Sequence, residues 1–381
     1  MGQPIWHFCL VSEQPLANAL PALALQPQVR GVVLARTAVM HQRAQWLADV
    51  LQSRGLEVEF MELPPPQDVG AIRQCLSQWL GTHGGRSVLL NATGGTKTLS
   101  MVAMQVFAEH GLPVRYLDEA NGLWIDVLGN GTPYPLPNVA LRIDDVVALH
   151  GLRVRARHDD PQWPQWIGIA RMLGAGIGGL LHELSRLKGA MGTGQNNGTP
   201  KFDVPRGLIG PLEKAGIIRR SEALWCLNTP ADQSFLTGGW LEDYALDCAR
   251  QGLAGDRLVQ DIASGVKVEE VSARETNGQR PDNELDLLIL RNGRLFAVEC
   301  KTSVGKATGK AQNIPEILYK LAFQRRIGGH STRLALLHLS QVTGPTEERA
   351  RMANIKLWGT RDVPRLTERL QRWVGGDGAV R

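Results

Sequence analysis

The sequence predicts an α/β protein with more than one domain, and three observations carry this prediction. Residues 1–150 alternate short apolar runs with segments of helical periodicity, a pattern typical of parallel sheets covered by helices on both faces. The last third alternates in the same way but contains a strand hairpin, which indicates a mixed sheet flanked by helices. A length of 381 residues suits two or three domains, each with its own core.

The composition is that of a soluble globular protein. Apolar residues make up 43% and charged residues 21%, which favours neither a membrane protein nor a disordered one. No run of about 18 apolar residues and no secretory leader is present, so we expect a cytoplasmic protein without a membrane partner. The net charge of +5 is compatible with nucleic-acid binding but does not establish it. The five cysteines form no CxxC pair, which indicates reduced thiols rather than a zinc site.

The N-terminal third has the pattern of a Rossmann-like domain. Near-continuous apolar runs predict strands at residues 5–11, 31–35, 56–61, 87–91 and 113–117, and amphipathic helices separate several of them. Ligands of such domains bind beyond the carboxyl ends of the strands. The residues that follow the strands are therefore the candidates for a binding site.

Two strand ends in this domain carry suitable chemistry. Paired glycines let backbone N–H groups approach an anion, and the following helix N-terminus favours negative charge. The segment over residues 91–98, which follows the fourth predicted strand, is neither a Walker A loop nor a GxGxxG motif. It is therefore either a plain turn capped by Thr96 or a phosphate or nucleotide site. Its position between strand and helix favours the second interpretation. The candidate residues are Ser12, Glu13 and Gln14 after the first strand, and Asn91, Thr93, Gly94, Gly95, Thr96 and Lys97 after a later one.

The middle segment differs in character from both ends. Arg153, Arg155 and Arg157 form a local basic cluster, and a helical stretch over residues 166–187 contains four glycines that predict a break or kink. Residues 204–220 are typical of the recognition helix and wing of a winged-helix domain. Such a domain either reads DNA or serves as a protein spacer, and the prolines and glycines in its helix favour the spacer.

The C-terminal third contains the strongest motif of the chain. Two apolar strands flank Asn292-Gly293, a dipeptide typical of tight hairpin turns because both residues can adopt positive φ. Folding there brings Asp286 on the first strand near Glu299 and Lys301 on the second. Hard carboxylate oxygens beside a lysine suit a divalent cation. Glu242 lies at the margin of a preceding helix, either as a partner of the helix dipole or as a further group of this site.

These residues resemble the PD-(D/E)xK nuclease core: Asp286, then Glu299-Cys300-Lys301, with Glu242 on a preceding helix. Glu284-Leu285-Asp286 replaces the usual Pro-Asp, and Pro281-Asp282 falls before the strand. The N-terminal domain, with its polar loops after two strands, resembles the CARF sensor of type III CRISPR systems. The order of sensor, winged-helix-like linker and nuclease is similar to that of the CARF nucleases activated by cyclic tetra-adenylate.

The resemblance implies three domains and a role for each candidate residue. The domains would be a CARF sensor over 1–150, a linker over 151–232 and a nuclease domain over 233–381. Asp286 and Glu299, with the carbonyl of Cys300, would hold Mg²⁺ or Mn²⁺, and Glu242 would bind a second metal or anchor its water. Lys301 would orient the attacking water or stabilise the developing charge.

The resemblance also implies partners and regulation. The substrate would be DNA, single-stranded RNA or both, and cyclic tetra-adenylate would be the activator. Because a ring of four adenylates is two-fold symmetric, two sensor domains would share one ring in a homodimer. Two other functions remain open: an unregulated restriction or repair nuclease, and a nucleotide-sensing transcription regulator with an inert hairpin.

Overall fold

The computed structural model describes residues 4–119, 121–129, 131–158, 163–192, 201–271, 283–302 and 314–376. Within these residues the strands form three sheets, of seven, three and six strands. The Pro281-Asp282 pair lies outside the described residues. No described helix is long and apolar enough to cross a membrane.

The first sheet confirms the predicted Rossmann-like domain. Its order is β3-β2-β1-β4-β5-β6-β7, with parallel pairing from β3 to β5 and an antiparallel edge formed by β6 and β7. The elements are β1 (Ile5–Leu10), α1 (Leu16–Ala24), β2 (Val29–Arg36), α2 (His41–Ser53), β3 (Glu57–Glu62), α3 (Val69–Thr82), β4 (Ser87–Asn91), α4 (Lys97–Glu109), β5 (Val114–Asp118), β6 (Leu123–Asp126) and β7 (Tyr134–Pro135).

The strand order places both candidate loops at one point of this sheet. From β1 the chain moves outward through β2 to β3, and from β4 it moves outward in the other direction. Neighbouring parallel strands β1 and β4 therefore form the switch point of the sheet, where open α/β sheets bind ligands. The loops that begin at Ser12 and at Ala92 follow these two strands directly.

The middle segment contains one long helix and a small three-stranded sheet of order β10-β11-β9. A short helix followed by two antiparallel strands matches the predicted helix and wing. The elements are α5 (Ile143–Ala148), β8 (Leu152–Ala156), α6 (Trp163–Gly192), β9 (Lys201–Phe202), α7 (Arg206–Lys214), β10 (Ile218–Ser221), β11 (Leu224–Leu227) and α8 (Pro230–Ser234).

The predicted break in the glycine-rich helix is wrong, because α6 is a single helix over its whole length. The packing around Gly174 explains why one of these positions is a glycine. A Cβ atom there would lie 2.5 Å from the ring of Tyr244, a residue of the next long helix of the chain. Glycine at this position therefore permits close helix packing, and that packing offsets the low helix propensity of the segment.

The third sheet is mixed, as predicted, with the order β16-β15-β14-β13-β12-β8. Its centre is antiparallel, while β14, β15 and β16 are parallel. The edge strand β8 lies in the range assigned above to the linker, yet it pairs with β12 and so belongs to this sheet. The elements are α9 (Trp240–Leu253), β12 (Val259–Glu270), β13 (Asn283–Arg291), β14 (Arg294–Lys301), α10 (Ile314–Gln324), β15 (Arg333–His338), α11 (Gly344–Met352), β16 (Ile355–Trp358) and α12 (Leu366–Gly375).

One hydrophobic core joins the first and third sheets. It combines buried side chains of α1 and α2 with residues of β13, β14 and α10. Leu288 and Leu295 are two of the hairpin residues in this core, and Leu47 of α2 is one of the residues from the N-terminal domain. The N-terminal domain therefore packs directly on the sheet that contains the hairpin.

Candidate functional site

The hairpin of β13 and β14 brings three candidate residues together. Asn292 and Gly293 both have positive φ, 47° and 74°, as the turn prediction requires. The Nζ atom of Lys301 lies 2.7 Å from Oε1 of Glu299 and 3.4 Å from Oδ2 of Asp286. The same Asp286 oxygen accepts a hydrogen bond of 2.7 Å from the backbone N–H of Cys300. Two carboxylates thus share one ammonium group at the end of the hairpin.

Burial makes this cluster electrostatically unusual. Asp286 and Glu299 are only 7% and 6% exposed. Burial, and then the charge of Glu299, raise the pKa of Asp286. Although burial acts to lower the pKa of Lys301, the charges of Asp286 and Glu299 outweigh it and raise that pKa. The two carboxylates therefore favour the protonated form of Lys301, which donates hydrogen bonds to them.

Glu242 belongs to the same electrostatic cluster. It lies in the first turn of α9, and burial, followed by the charge of Asp286, raises its pKa. It also lines a cavity of about 380 Å³, together with Asp243 and His158. The Nε2 atom of His158 is 3.9 Å from Oδ1 of Asp243. Among the three candidate acids only Glu242 lines this cavity, which provides space beside it for part of a substrate.

Lys188, in the last turns of α6, is a residue near this site that sequence reasoning missed. Its Nζ atom donates a hydrogen bond of 2.7 Å to Oγ1 of Thr302, the residue that follows Lys301. Thr302 in turn donates to the backbone carbonyl of Thr237. Burial lowers the pKa of Lys188 to about 8. No local motif surrounds Lys188, so only the packing of α6 against the strand end reveals it.

The residues present fit a divalent cation by charge and by donor type. Glu242, Asp286 and Glu299 can place three negative charges around one lysine in a buried region, an excess that a bound cation offsets. Among the described residues no group of three His, Cys, Asp or Glu side chains is arranged to hold a metal ion. The Cys300 thiol joins the apolar core on the α9 side, and burial raises its pKa well above its usual value. Of the two groups of Cys300, the backbone carbonyl rather than the thiol is therefore the candidate metal donor.

In the N-terminal domain, hydrogen bonds of Asn91 and Thr93 fix the conformation of the candidate loop. Asn91 is fully buried, and its amide nitrogen donates 2.8 Å to the carbonyl of Ala17 at the start of α1. Its Oδ1 accepts from both the N–H and the hydroxyl of Thr93. The Thr93 hydroxyl also accepts a hydrogen bond from the N–H of Leu117 on β5. Both side chains position the loop and are already hydrogen-bonded within the protein.

The next four residues of the loop differ in exposure, since Gly94 is buried, Gly95 is half-buried, and Thr96 and Lys97 are exposed. A Cβ atom on Gly94 would lie 2.1 Å from the carbonyl of Leu10, and Gly95 has a φ of +79°. Thr96 caps α4, its hydroxyl accepting 3.3 Å from the N–H of Leu99. Thr96 and Lys97 are exposed at the helix N-terminus. The structure confirms Thr96 as a cap, while the phosphate or nucleotide site at the helix N-terminus beside Lys97 stays a prediction.

The loop after β1 lies beside the third domain. Glu13 approaches Arg43 of α2 at 3.3 Å and His330 near β15 at 3.9 Å. Ser12 accepts a hydrogen bond of 3.3 Å from the N–H of Gln14. A Cβ atom on Gly329 would lie 3.7 Å from Oε1 of Gln14. The loop at the predicted ligand site therefore contacts residues that precede β15 of the third sheet.

Comparison with known proteins agrees with this architecture. Residues 6–128 match the family model described as the Card1 CARF domain, and residues 231–375 match the Card1-like endonuclease domain. No curated protein matches the chain by sequence. Among solved structures, protein VC1899 from Vibrio cholerae is 19% identical, with 97% of each chain covered and a TM-score of 0.84.

Two further structures share the fold. One is Can2 from Sulfobacillus thermosulfidooxidans in complex with cyclic tetra-adenylate, at 22% identity, with 96% of this chain and 97% of that chain covered and a TM-score of 0.79. The other is a type III CRISPR defence DNA nuclease activated by cyclic oligoadenylate, at 18% identity and a TM-score of 0.55. The match covers 91% of this chain and 48% of that nuclease.

The fold and the two family matches define a sensor–endonuclease, with a CARF domain in the N-terminal part of the chain and an endonuclease domain in the C-terminal part. The two matched ranges together span well over half of the 381 residues. The chain belongs to the Card1-like family of CARF-domain endonucleases, which confirms the resemblance and the enzyme class predicted from the sequence. The positions of the individual site residues and the domain boundaries at 150 and 232 stay predictions.

Proposed function

We propose that this endonuclease cleaves DNA, single-stranded RNA or both when cyclic tetra-adenylate binds its sensor domain, as a cytoplasmic effector of type III CRISPR defence. The activator and the defence role follow from the fold shared with Can2, whose structure contains cyclic tetra-adenylate, and with the CRISPR defence nuclease. The observation that carries the catalytic assignment is the ammonium of Lys301 between the buried carboxylates of Asp286 and Glu299.

In this proposal Asp286, Glu299 and the carbonyl of Cys300 hold Mg²⁺ or Mn²⁺, and Glu242 completes the acidic set. A bound cation of this kind polarises the scissile phosphate and lowers the pKa of an attacking water. Lys301 orients the attacking water or donates a hydrogen bond to the phosphate oxygens as negative charge develops there.

In the sensor, Gly94, Gly95, Thr96 and Lys97 contact the phosphates or adenosines of the ring, and Ser12, Glu13 and Gln14 close the other side. Asn91 and Thr93 hold this loop in shape. Two protomers share one ring about a two-fold axis, which makes the enzyme a homodimer. Ring binding shifts the population towards a cleavage-competent arrangement of the nuclease domains.

The test is a cleavage assay on labelled single-stranded DNA, supercoiled DNA and single-stranded RNA, with Mg²⁺ or Mn²⁺, with and without cyclic tetra-adenylate. We expect cleavage only with the metal, and a strong increase with the ring. Glu299→Ala and Lys301→Ala should each lower the rate by about a hundredfold or more. Lys201→Ala, which removes an exposed lysine of β9 paired with Glu222, is the matched control and should cleave normally.

The outcomes separate the competing functions. Equal rates with and without the ring would identify an unregulated nuclease. Sequence-specific binding of duplex DNA without cleavage, unaffected by Glu299→Ala, would identify a transcription regulator instead.

A further inference from the structure

A second concave region lies at the end of the third sheet opposite the carboxylates. This cavity of about 660 Å³ is bounded by the Asn292-Gly293 turn, by the first residues of β15 and β16, and by α12. Leu16 and Leu20 of α1 contribute its sensor-side wall. It is separated from Lys301 by the length of β14, about 23 Å for seven residue steps. The active site therefore does not extend into it.

Basic side chains dominate the lining of this cavity. Arg294, Arg333 and Lys356 line it, and none of the three has a carboxylate within ion-pair distance in the described part of the chain. The acidic residue that lines it is Glu119. Four further arginines also line it and are each paired with a carboxylate: Arg291 with Asp256, Arg351 with Glu348, Arg369 with Asp362 and Arg372 with Glu368.

Arg294 lies close enough to Arg333 for the two positive charges to repel. Burial, and then the neighbouring charge of Arg333, lower the pKa of Arg294, while Glu119 opposes the shift. Because Glu119 offsets only part of this repulsion, an anion bound between the two arginines would be favourable. Arginine forks suit phosphate oxygens in particular, since each presents several N–H donors in one plane.

The remaining wall is aromatic. Trp373 is half-buried on α12, and its ring packs edge-on against Phe296 at 5.1 Å and Trp358 at 5.2 Å between centroids. All three residues line the cavity. A concave site of this volume, with an apolar wall and a few convergent charges, matches the usual form of a site for a nucleotide-sized ligand.

We propose that this cavity is a second, non-catalytic binding site for the phosphates of a nucleotide, held by Arg294, Arg333 and Lys356. The phosphates belong either to a free nucleotide or to a segment of the nucleic-acid strand. The site is distinct from the sensor loops and from the acidic cluster, and it does not depend on the identity of the metal.

The experiment measures binding to the full-length protein by calorimetry and tryptophan fluorescence, with a chelator present so that no cleavage occurs. The probes are inorganic phosphate, pyrophosphate, adenosine triphosphate and a short oligothymidylate. Arg294→Gln and Arg333→Gln each remove one cation of the site. Since Arg333 is exposed, its replacement should not disturb folding, and it therefore tests the site even if Arg294→Gln is unstable. Arg349→Gln is the matched control, since Arg349 is an exposed arginine of α11 outside the cavity.

We expect Arg294→Gln and Arg333→Gln each to weaken binding by about tenfold, and Arg349→Gln to leave it unchanged. If the protein binds adenosine triphosphate and pyrophosphate but not oligothymidylate, a free nucleotide is the source of the phosphates. Sensitivity of oligothymidylate binding to the same two variants identifies the strand. If no probe binds, or if both cavity variants bind every probe as tightly as the wild type, the proposal is overturned.

Discussion

His7 shows how burial of a single side chain sets a pH limit on the sensor domain. It lies on β1, and its ring stacks on Trp124 with 6.2 Å between centroids. Burial, and then the charge of Arg115, lower its pKa to about 3. In the unfolded chain the pKa is near 6.5. At pH values between about 3 and 6.5, His7 binds a proton in the unfolded chain but not in the folded protein. Acid therefore favours unfolding.

The first prediction follows from this linkage. As the pH falls from about 6.5 towards 3, His7 should reduce the free energy of unfolding by up to about 1.4 kcal/mol per pH unit. Above pH 6.5 it should contribute no slope. Urea unfolding at pH 7 and pH 5 should show a smaller loss for His7→Phe, which keeps a ring against Trp124, than for the wild type. His182→Gln, at an exposed histidine of α6, should lose as much stability as the wild type.

At the scale of the element, α6 offers a matched pair of glycines. A Cβ atom on Gly174 would clash with the Tyr244 ring, whereas a Cβ atom on Gly178 meets nothing within 4 Å. Gly178→Ala should raise the free energy of unfolding by about 0.5–1 kcal/mol through helix propensity. Gly174→Ala should lower it by about 1–3 kcal/mol through overpacking against α9. Thermal unfolding of the two variants and the wild type measures these changes in stability. Equal effects of the two substitutions would contradict the packing argument.

The contact between α1 and the turn of the β13–β14 hairpin links the sensor domain to the strands that carry the proposed nuclease site. The helix begins two residues after Gln14, and a Cβ atom on Gly293 would lie 3.2 Å from Cδ1 of Leu20. The turn at Gly293 joins the two strands that carry Asp286 and Glu299. A displacement of α1 on ring binding can therefore reach the hairpin without passing through the linker.

Leu20→Ala tests this route. Removing the contact should leave the ring affinity unchanged and lower the ring-dependent increase in cleavage rate by about tenfold, since coupling between sites amounts to only a few kcal/mol. Leu25→Ala removes a similarly placed, partly buried leucine just beyond the same helix and should keep full activation. A normal response of Leu20→Ala to the ring would show that activation uses another path.

At the scale of the whole molecule, local patterns predicted the hairpin and many of the elements, but not α1, α11, β16 or the assembly of the sheets. The Asn292-Gly293 turn fixes its own strand register, so Asp286, Glu299 and Lys301 could be placed together from the sequence. Lys188 could not, because it lies 114 residues from Thr302 along the chain. The same holds for β8, whose partner β12 begins about a hundred residues later. Long-range pairing depends on packing that no local pattern encodes.

The last prediction concerns the proposed homodimer. Val39 and Met101 are 80% and 66% exposed, and both lie near the switch point of the first sheet, one after β2 and the other on α4 one turn beyond Lys97. Exposed apolar side chains beside the proposed ring site suit an interface between two copies. Met101→Glu would place a charge in that interface and should shift the protein to monomers in sedimentation measurements at micromolar concentration.

Because each protomer would supply half of the ring site, Met101→Glu should also weaken binding of cyclic tetra-adenylate and reduce the rise in melting temperature that the ring produces. Met352→Glu alters a methionine of α11 that is 76% exposed, remote from α4, and should leave both properties intact. A Met101→Glu protein that remains dimeric and binds the ring normally would place the two-fold interface elsewhere, since burying an unpaired carboxylate between protomers costs several kcal/mol.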